Sequence, residues 1–91
     1  MKCLYLHVKS RYFAEIAEGK KFEEYRLYNS YWKKRLISNS YDKIVIFRGY
    51  PKKDNAKARI ERKWIGWRIK EIIHPHFGDR PVAVFAIQVN D

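Results

Sequence analysis

The residues best suited to binding or chemistry lie between positions 19 and 35, where ionisable side chains are mixed with large aromatic rings. Lys21, Glu24 and Arg26 place an amine, a carboxylate and a guanidinium close together. The two cations can hold phosphates or a base edge, and the carboxylate can orient them or accept a proton from a base amino group. The same stretch carries five rings that could stack on bases: Phe22, Tyr25, Tyr28, Tyr31 and Trp32. This mixture predicts a surface that meets an anionic, stackable partner, and a nucleic acid is the obvious candidate.

The three charged residues also allow a structural and a catalytic interpretation. An ion-paired cluster at a strand edge would fix the preceding turn, and exposed pairs contribute only about 0–1 kcal/mol. Catalysis would require Lys21 to act as a base or nucleophile, activated by desolvation or by nearby cations. Glu71 falls among the apolar residues of a later strand and could share a pocket with Lys21. Pairing of Glu71 with Arg68 or Arg48 is the simpler explanation.

The whole chain is basic, with 20 Lys and Arg residues against 10 Asp and Glu residues and a formal net charge of +10. Charge of this size on a small domain bears on partners, and RNA, DNA or an anionic membrane surface are the candidates. RNA contacts are expected from basic and aromatic residues in the charged stretch and in a later loop: Lys21, Tyr25, Arg26, Lys34, Arg35, Arg48, Tyr50, Lys52 and Lys53.

The chain length of 91 residues predicts a single domain over residues 1–91 with one modest core. Cys3 is the sole cysteine of the sequence, so an internal disulfide is excluded, and its apolar neighbours indicate a core position. The sequence shows neither zinc-site spacing nor a Gly-rich phosphate loop, so we expect no metal and no cofactor. We expect a soluble, cytoplasmic protein for three reasons. The thiol is free, a signal-peptide region is not visible, and no apolar run approaches the ~20 residues of a bilayer span.

Two short helices are predicted, one before the charged stretch and one inside it. Residues 11–18 carry an apolar stripe at helical spacing. Gly19 stops this helix, because a positive φ costs glycine little. Asn29 or Ser30 can cap a second helix over about residues 31–37.

Period-two alternation predicts strands over residues 2–8, 20–28, 43–47 and 82–89. The first strand is apolar on both faces, which predicts a central strand with His7 in or near the core. Residues 58–73 form one long strand or two joined strands, with a bulge or hairpin turn near Gly66 where the inward phase changes. These elements predict an α+β fold: a small, curled, mixed β-barrel of about five to six strands with two or three short flanking helices.

A known family pattern runs through the charged stretch. Residues 19–26, Gly-Lys-Lys-Phe-Glu-Glu-Tyr-Arg, match the G-x-K-x-x-E-x-R pattern of ASCH domains at every defined position. Residues 31–36, Tyr-Trp-Lys-Lys-Arg-Leu, are similar to the Y-W-x-x-R-L run of one group of small ASCH proteins. The order of the predicted elements resembles that family over most of the chain. ASCH domains are similar in fold to PUA domains, so the resemblance implies a curled β-barrel with short helices.

The resemblance also implies an RNA-binding cleft beside the motif. Some small ASCH proteins are amidohydrolases that remove the acetyl group from N4-acetylcytidine, and others are reported as ribonucleases. The amidohydrolases use the motif lysine, a threonine three residues later and a glutamate in a helical segment before the last strand. Lys21 matches that lysine, but Glu24 stands at the threonine position and only the loop 74–81 precedes the last strand. We therefore expect an RNA-binding domain; the alternative is a hydrolase of RNA or a modified nucleoside that uses Lys21, Glu24 and Glu71.

Overall fold

A computed structural model describes residues 1–52 and 55–90 of the chain. The strands in this part of the chain are β1 (Cys3–Val8), β2 (Glu23–Leu27), β3 (Lys43–Arg48), β4 (Arg59–Lys63), β5 (Trp67–Ile72) and β6 (Val82–Gln88). The α-helices are α1 (Ser10–Ala17) and α2 (Ser30–Leu36), and short 3₁₀ turns cover Ala56–Ala58 and Pro75–Phe77. The α+β class predicted from the sequence is confirmed.

The strands form two three-stranded sheets, with the order β1-β3-β4 in one and β2-β6-β5 in the other. β1 is parallel to β3, and the other three pairings are antiparallel. Over residues 1–52 and 55–90, no strand pairing joins the two sheets, so the closed barrel expected from the sequence is not confirmed. β1 lies at the edge of its sheet, and the predicted central position is therefore wrong.

β1 turns only one of its faces to the core. Leu4, Leu6 and Val8 are buried, whereas Tyr5 is 56% exposed and His7 is half-buried. The second face, with Tyr5 and His7, looks buried in the sequence because these rings are largely apolar. The same rings carry polar atoms, which suit them to a surface. This explains why the alternation was predicted correctly and the position in the sheet was not.

The apolar core joins both helices to both sheets. β6 is the central strand of the second sheet. Its consecutive residues Val84, Phe85, Ala86 and Ile87 are fully buried, so both of its faces are covered. The same core takes in residues from each of the other packed elements: Leu4, Leu6, Val8, Phe13, Ile16, Leu36, Ile44, Ile46 and Val89. The near-continuous apolar sequence of the last strand follows from this two-sided burial.

Residues 64–66 carry the chain from the first sheet to the second. Gly66 has a φ of 125°, a conformation that L side chains rarely adopt. The chain breaks between β4 and β5 near this glycine, but the two strands belong to different sheets and do not form a hairpin. The predicted inward phase after the glycine is wrong, because Ile69 and Ile73 are exposed. Strand alternation places Glu71 on the same face as Ile69, as expected. Both are exposed, so this face of β5 is open to solvent.

The helix ends lie close to their predicted positions. α1 begins at Ser10, one residue earlier than expected, and Gly19 follows its end with a φ of 76°. Asn29 caps α2: its side-chain oxygen accepts a hydrogen bond from the Trp32 N–H at 3.0 Å. β2 is therefore bounded by two helix ends. In the described part of the chain, no helix has both the length and the apolar character needed to cross a membrane.

Glu23 connects the three strands of the second sheet. Its carboxylate accepts hydrogen bonds from Arg68 Nε at 2.9 Å, Lys70 Nζ at 2.8 Å and Gln88 Nε2 at 2.9 Å. Burial by itself raises the pKa of Glu23, but the hydrogen bonds from Lys70, Arg68 and Gln88 outweigh it and lower that pKa to about 2. Since the Glu23 side chain is only 12% exposed, these bonds are partly shielded from solvent.

We expect Glu23→Gln to lower the free energy of unfolding at neutral pH by about 1–3 kcal/mol, because a neutral amide holds the two cations less well. The folded pKa of about 2 lies below the ordinary value of 4.5. The contribution is therefore complete above pH ~4.5 and is lost as the pH falls towards ~2. Urea unfolding of wild type and variant at neutral pH and near pH ~3 measures this difference, which should be smaller in acid.

Glu18→Gln is the matched control for this measurement. Glu18 pairs with Lys20 at 2.9 Å, but the two side chains are 54% and 73% exposed. The control should change the free energy of unfolding by no more than about 0.5 kcal/mol at either pH. A Glu23→Gln effect that stayed the same in acid would contradict the role assigned to the ionised carboxylate.

Candidate functional site

A cavity of about 400 Å³ lies where the end of β1 meets β2, the first turns of both helices and two loops. The loops are Gly49–Tyr50, which follows β3, and the region of His74 to Phe77, which follows β5. Ligand pockets commonly enclose about 300–1,000 Å³, so this cavity is large enough for a small organic ligand.

The cavity contains part of the set of residues that the sequence predicted. Its walls include five of them: Lys21, Glu24, Tyr25, Arg26 and Tyr50. Four predicted RNA contacts are exposed and do not line it: Lys34, Arg35, Arg48 and Lys52. Lys53 lies outside the described residues. Glu71 is exposed on β5 and is not part of the wall, so the structure does not bring it together with Lys21.

Glu24 is a buried carboxylate that lies between two cations at the cavity wall. Its Oε1 is 3.6 Å from Lys21 Nζ, and its Oε2 is 3.2 Å from Arg26 Nη2. The Glu24 side chain is 9% exposed, against 17% for Lys21 and 23% for Arg26. An unpaired charge at this depth would be costly, so the three groups hold one another in position.

Arg26 has further contacts that fix its guanidinium. Its Nη2 donates a hydrogen bond to the backbone oxygen of His7 at 2.8 Å, and its guanidinium carbon lies 5.3 Å from the centroid of the Trp32 ring. Its Nε is buried and has no hydrogen-bond partner among residues 1–52 and 55–90. A buried donor without a partner costs free energy, which the other contacts of the guanidinium offset.

Lys21 lies against two tyrosine rings. Its Nζ is 4.9 Å from the centroid of the Tyr12 ring and 5.3 Å from that of the Tyr25 ring. The backbone N–H of Lys21 donates to the Glu15 oxygen at 3.1 Å, so the end of α1 fixes the position of this residue. Both ring faces and the Glu24 carboxylate stabilise a positive charge on the amine. The arrangement suits the binding of an anion or a base edge.

His7 and Trp32 belong to the cavity wall; His7 was predicted to lie in or near the core, and Trp32 is one of the five rings of the charged stretch. His7 Nδ1 lies 2.7 Å from the Gly49 oxygen, and a carbonyl can only accept, so Nδ1 carries the proton in this contact. Trp32 packs against the core and also borders the cavity. The local signal that could have placed Trp32 near the motif is its position in the first turn of α2, beside the Asn29 cap.

The loop after β5 supplies two histidines that the sequence did not place at the site. The ring of His74 lies edge-on to those of Tyr12 and Tyr25, at 6.4 and 6.5 Å between centroids. Its Nδ1 accepts a hydrogen bond from the His76 N–H at 3.1 Å, which fixes the 3₁₀ turn. Across the described residues, no group of three or more His, Cys, Asp or Glu side chains could hold a metal ion.

Glu24→Ala should destabilise the protein by about 2–4 kcal/mol, because it leaves two partly buried cations without their counter-charge. Glu61→Ala is the matched control, since Glu61 also bridges a lysine and an arginine, at 2.8 and 3.0 Å, but is 42% exposed. That change should cost no more than about 1 kcal/mol. Thermal and urea unfolding measure both values, and equal losses would argue against a special role for the buried cluster.

The cavity combines cations, a buried carboxylate and aromatic rings, a set that suits planar ligands carrying negative charge. Comparisons with protein-family models, curated proteins and solved structures found no match to this chain. The function is therefore inferred from the chemistry of the cavity.

Proposed function

We propose that the protein is an ASCH-type, PUA-like domain of the cytoplasm that binds RNA and holds one nucleotide in the cavity beside residues 19–26. One observation carries this proposal: Lys21, Glu24 and Arg26, the charged residues of the motif, converge on a cavity that also has aromatic walls. The net charge of +10 favours a polyanionic ligand. The order β1-α1-β2-α2-β3, with the motif running from just after α1 into β2, supports the ASCH-type assignment.

The cavity offers separate groups for the phosphate and for the base. The Lys21 ammonium is the donor for phosphate or base oxygens, and the Arg26 guanidinium, held 3.2 Å from Glu24, adds positive charge beside it. Tyr25 and Tyr50 are rings on which a base can stack, and Tyr50 is 88% exposed at the mouth of the cavity. Glu24 can accept a hydrogen bond from a base amino group. Single-stranded RNA fits this arrangement best, because its bases are free to enter a pocket.

Cations outside the cavity extend the electrostatic attraction. The last turn of α2 is basic, with Lys33, Lys34 and Arg35 exposed, and Arg48 and Lys52 are exposed around the loop that carries Tyr50. Contacts of exposed cations with phosphates add affinity without base specificity, and they make binding depend on salt. The proposal therefore assigns specificity to the cavity and general affinity to this surface.

Lys21→Gln should weaken binding of a labelled single-stranded RNA by about tenfold or more, since it removes a charge-assisted contact. Lys20→Gln removes an equal charge from the adjacent residue, which is 73% exposed and does not line the cavity; this control should change affinity by about twofold at most. Fluorescence anisotropy measures both. Raising the salt from about 50 to about 200 mM should weaken wild-type binding severalfold or more. Equal effects of the two variants, or binding indifferent to salt, would overturn the proposal.

A hydrolase is the second candidate, because Lys21 and Glu24 lie 3.6 Å apart inside the cavity. One observation weighs against it: Glu71, the third residue of the candidate catalytic set, is exposed outside the cavity. We expect no turnover of N4-acetylcytidine or of single-stranded RNA when product formation is followed by chromatography. Turnover by the wild type that is lost in Lys21→Ala would establish the hydrolase instead.

A further inference from the structure

A row of near-parallel aromatic rings begins at the cavity and continues over the outer face of the β1-β3-β4 sheet. The Tyr50 and His7 rings lie 4.2 Å apart between centroids at 13°, and the His7 and Phe47 rings 5.0 Å apart at 18°. Tyr5 lies 6.1 Å from Phe47 at 17°. Tyr50 and His7 line the cavity, whereas Phe47 and Tyr5 do not. The row therefore leads from the cavity onto the surface of the sheet.

The strand register separates rings from cations across this outer face. β1 supplies the rings of Tyr5 and His7, and β4 supplies the cations Arg59 and Lys63. The rows across the three strands are His7–Phe47–Arg59, Tyr5–Val45–Glu61 and Cys3–Lys43–Lys63. Residues directly opposite each other lie on the same face of a sheet, so one side of the face is aromatic and the other is basic.

The basic side keeps a net positive charge. Its acid is Glu61, whose two oxygens are held by Lys43 at 2.8 Å and Arg59 at 3.0 Å. The Arg59 guanidinium also lies 5.9 Å from the centroid of the Phe47 ring. Lys63 is exposed beside this cluster. Three cations against one carboxylate leave positive charge along β4, at the side of the rings.

The two rings at the ends of this row are too exposed to be explained by packing. Tyr5 is 56% exposed and Tyr50 is 88% exposed. None of Tyr5, His7, Phe47 and Tyr50 belongs to the core described for residues 1–52 and 55–90. Large rings gathered on a surface indicate a binding partner. Rings beside cations suit single-stranded nucleic acid, whose bases stack while its phosphates pair with positive charge.

We propose that this face carries the continuation of the RNA strand whose first bound nucleotide occupies the cavity. The bases follow the rings from Tyr50 towards Tyr5, and the phosphates follow the basic side along Arg59, Lys43 and Lys63. This proposal rests on the proposed RNA-binding function and extends its ligand from one nucleotide to a single strand of several. A duplex does not fit, because its bases are already stacked on one another.

The experiment compares a dinucleotide with a single-stranded RNA of about eight nucleotides, using titration calorimetry or anisotropy. Tyr5→Ala should weaken binding of the longer RNA by about fivefold or more and leave the dinucleotide affinity within about twofold. Ile69→Ala is the matched control: Ile69 is 47% exposed, but it lies on β5 in the other sheet and does not line the cavity. The control should change neither affinity by more than about twofold.

Lys63→Gln gives a second measurement that does not depend on a ring. It should lower the slope of log affinity against log salt by about one for the longer RNA and leave the dinucleotide slope unchanged. Circular dichroism and thermal unfolding verify that each variant is folded.

The outcomes separate this proposal from the one it rests on. If dinucleotide binding needs Lys21 but the longer RNA binds no more tightly, the extended path is overturned and the cavity remains the binding site. Equal effects of Tyr5→Ala and Ile69→Ala overturn the path as well, as does tighter binding of a duplex than of the single strand. If Tyr5→Ala loses binding of the longer RNA and Lys21→Gln does not, the outer face of the first sheet remains the binding surface and the cavity is overturned as the site. No binding of either ligand overturns both proposals.

Discussion

The buried carboxylate of Glu24 is the group on which the arrangement of the site depends. It lies 3.6 Å from Lys21 Nζ and 3.2 Å from Arg26 Nη2, and each cation is tied to another element. The backbone N–H of Lys21 donates a hydrogen bond to the end of α1, and the Arg26 guanidinium donates one to the backbone oxygen of His7 in β1. One carboxylate therefore couples a helix end and two strands from different sheets. Desolvated charges tolerate few alternative positions, which makes the wall of the cavity rigid.

The adjacent residues Glu23 and Glu24 have different roles because successive side chains of a strand point to opposite faces of the sheet. Glu23 points to one face of the second sheet, where Arg68, Lys70 and Gln88 bind it and connect the three strands. Glu24 points to the other face and meets the cations of the cavity. The first carboxylate holds β2 in its sheet, and the second uses that fixed strand to orient Lys21 and Arg26. The motif thus contributes to stability and to the site through neighbouring positions.

Charge and aromatic rings have complementary roles in the proposed interface. Exposed cations attract a polyanion over a distance set by the ionic strength, and their contacts are largely independent of sequence. The rings act at contact distance and require unstacked bases. Tyr50 and His7 belong both to the cavity and to the row of rings on the first sheet, so they connect a pocket for one nucleotide to a surface for the next ones.

The sequence by itself determined the features that depend on near neighbours. Gly19 and Asn29 marked the helix ends, the alternation marked the strands, and the motif with the excess of Lys and Arg pointed to the cavity residues Lys21, Glu24 and Arg26. The tertiary structure alone decided which distant residues join them. It brought in His7 and His74, exposed Glu71 at a sheet edge, and arranged the strands as two sheets. The physical reason is that periodicity and capping report contacts within a few residues, whereas strand order and cavity walls arise from packing between segments far apart in the chain.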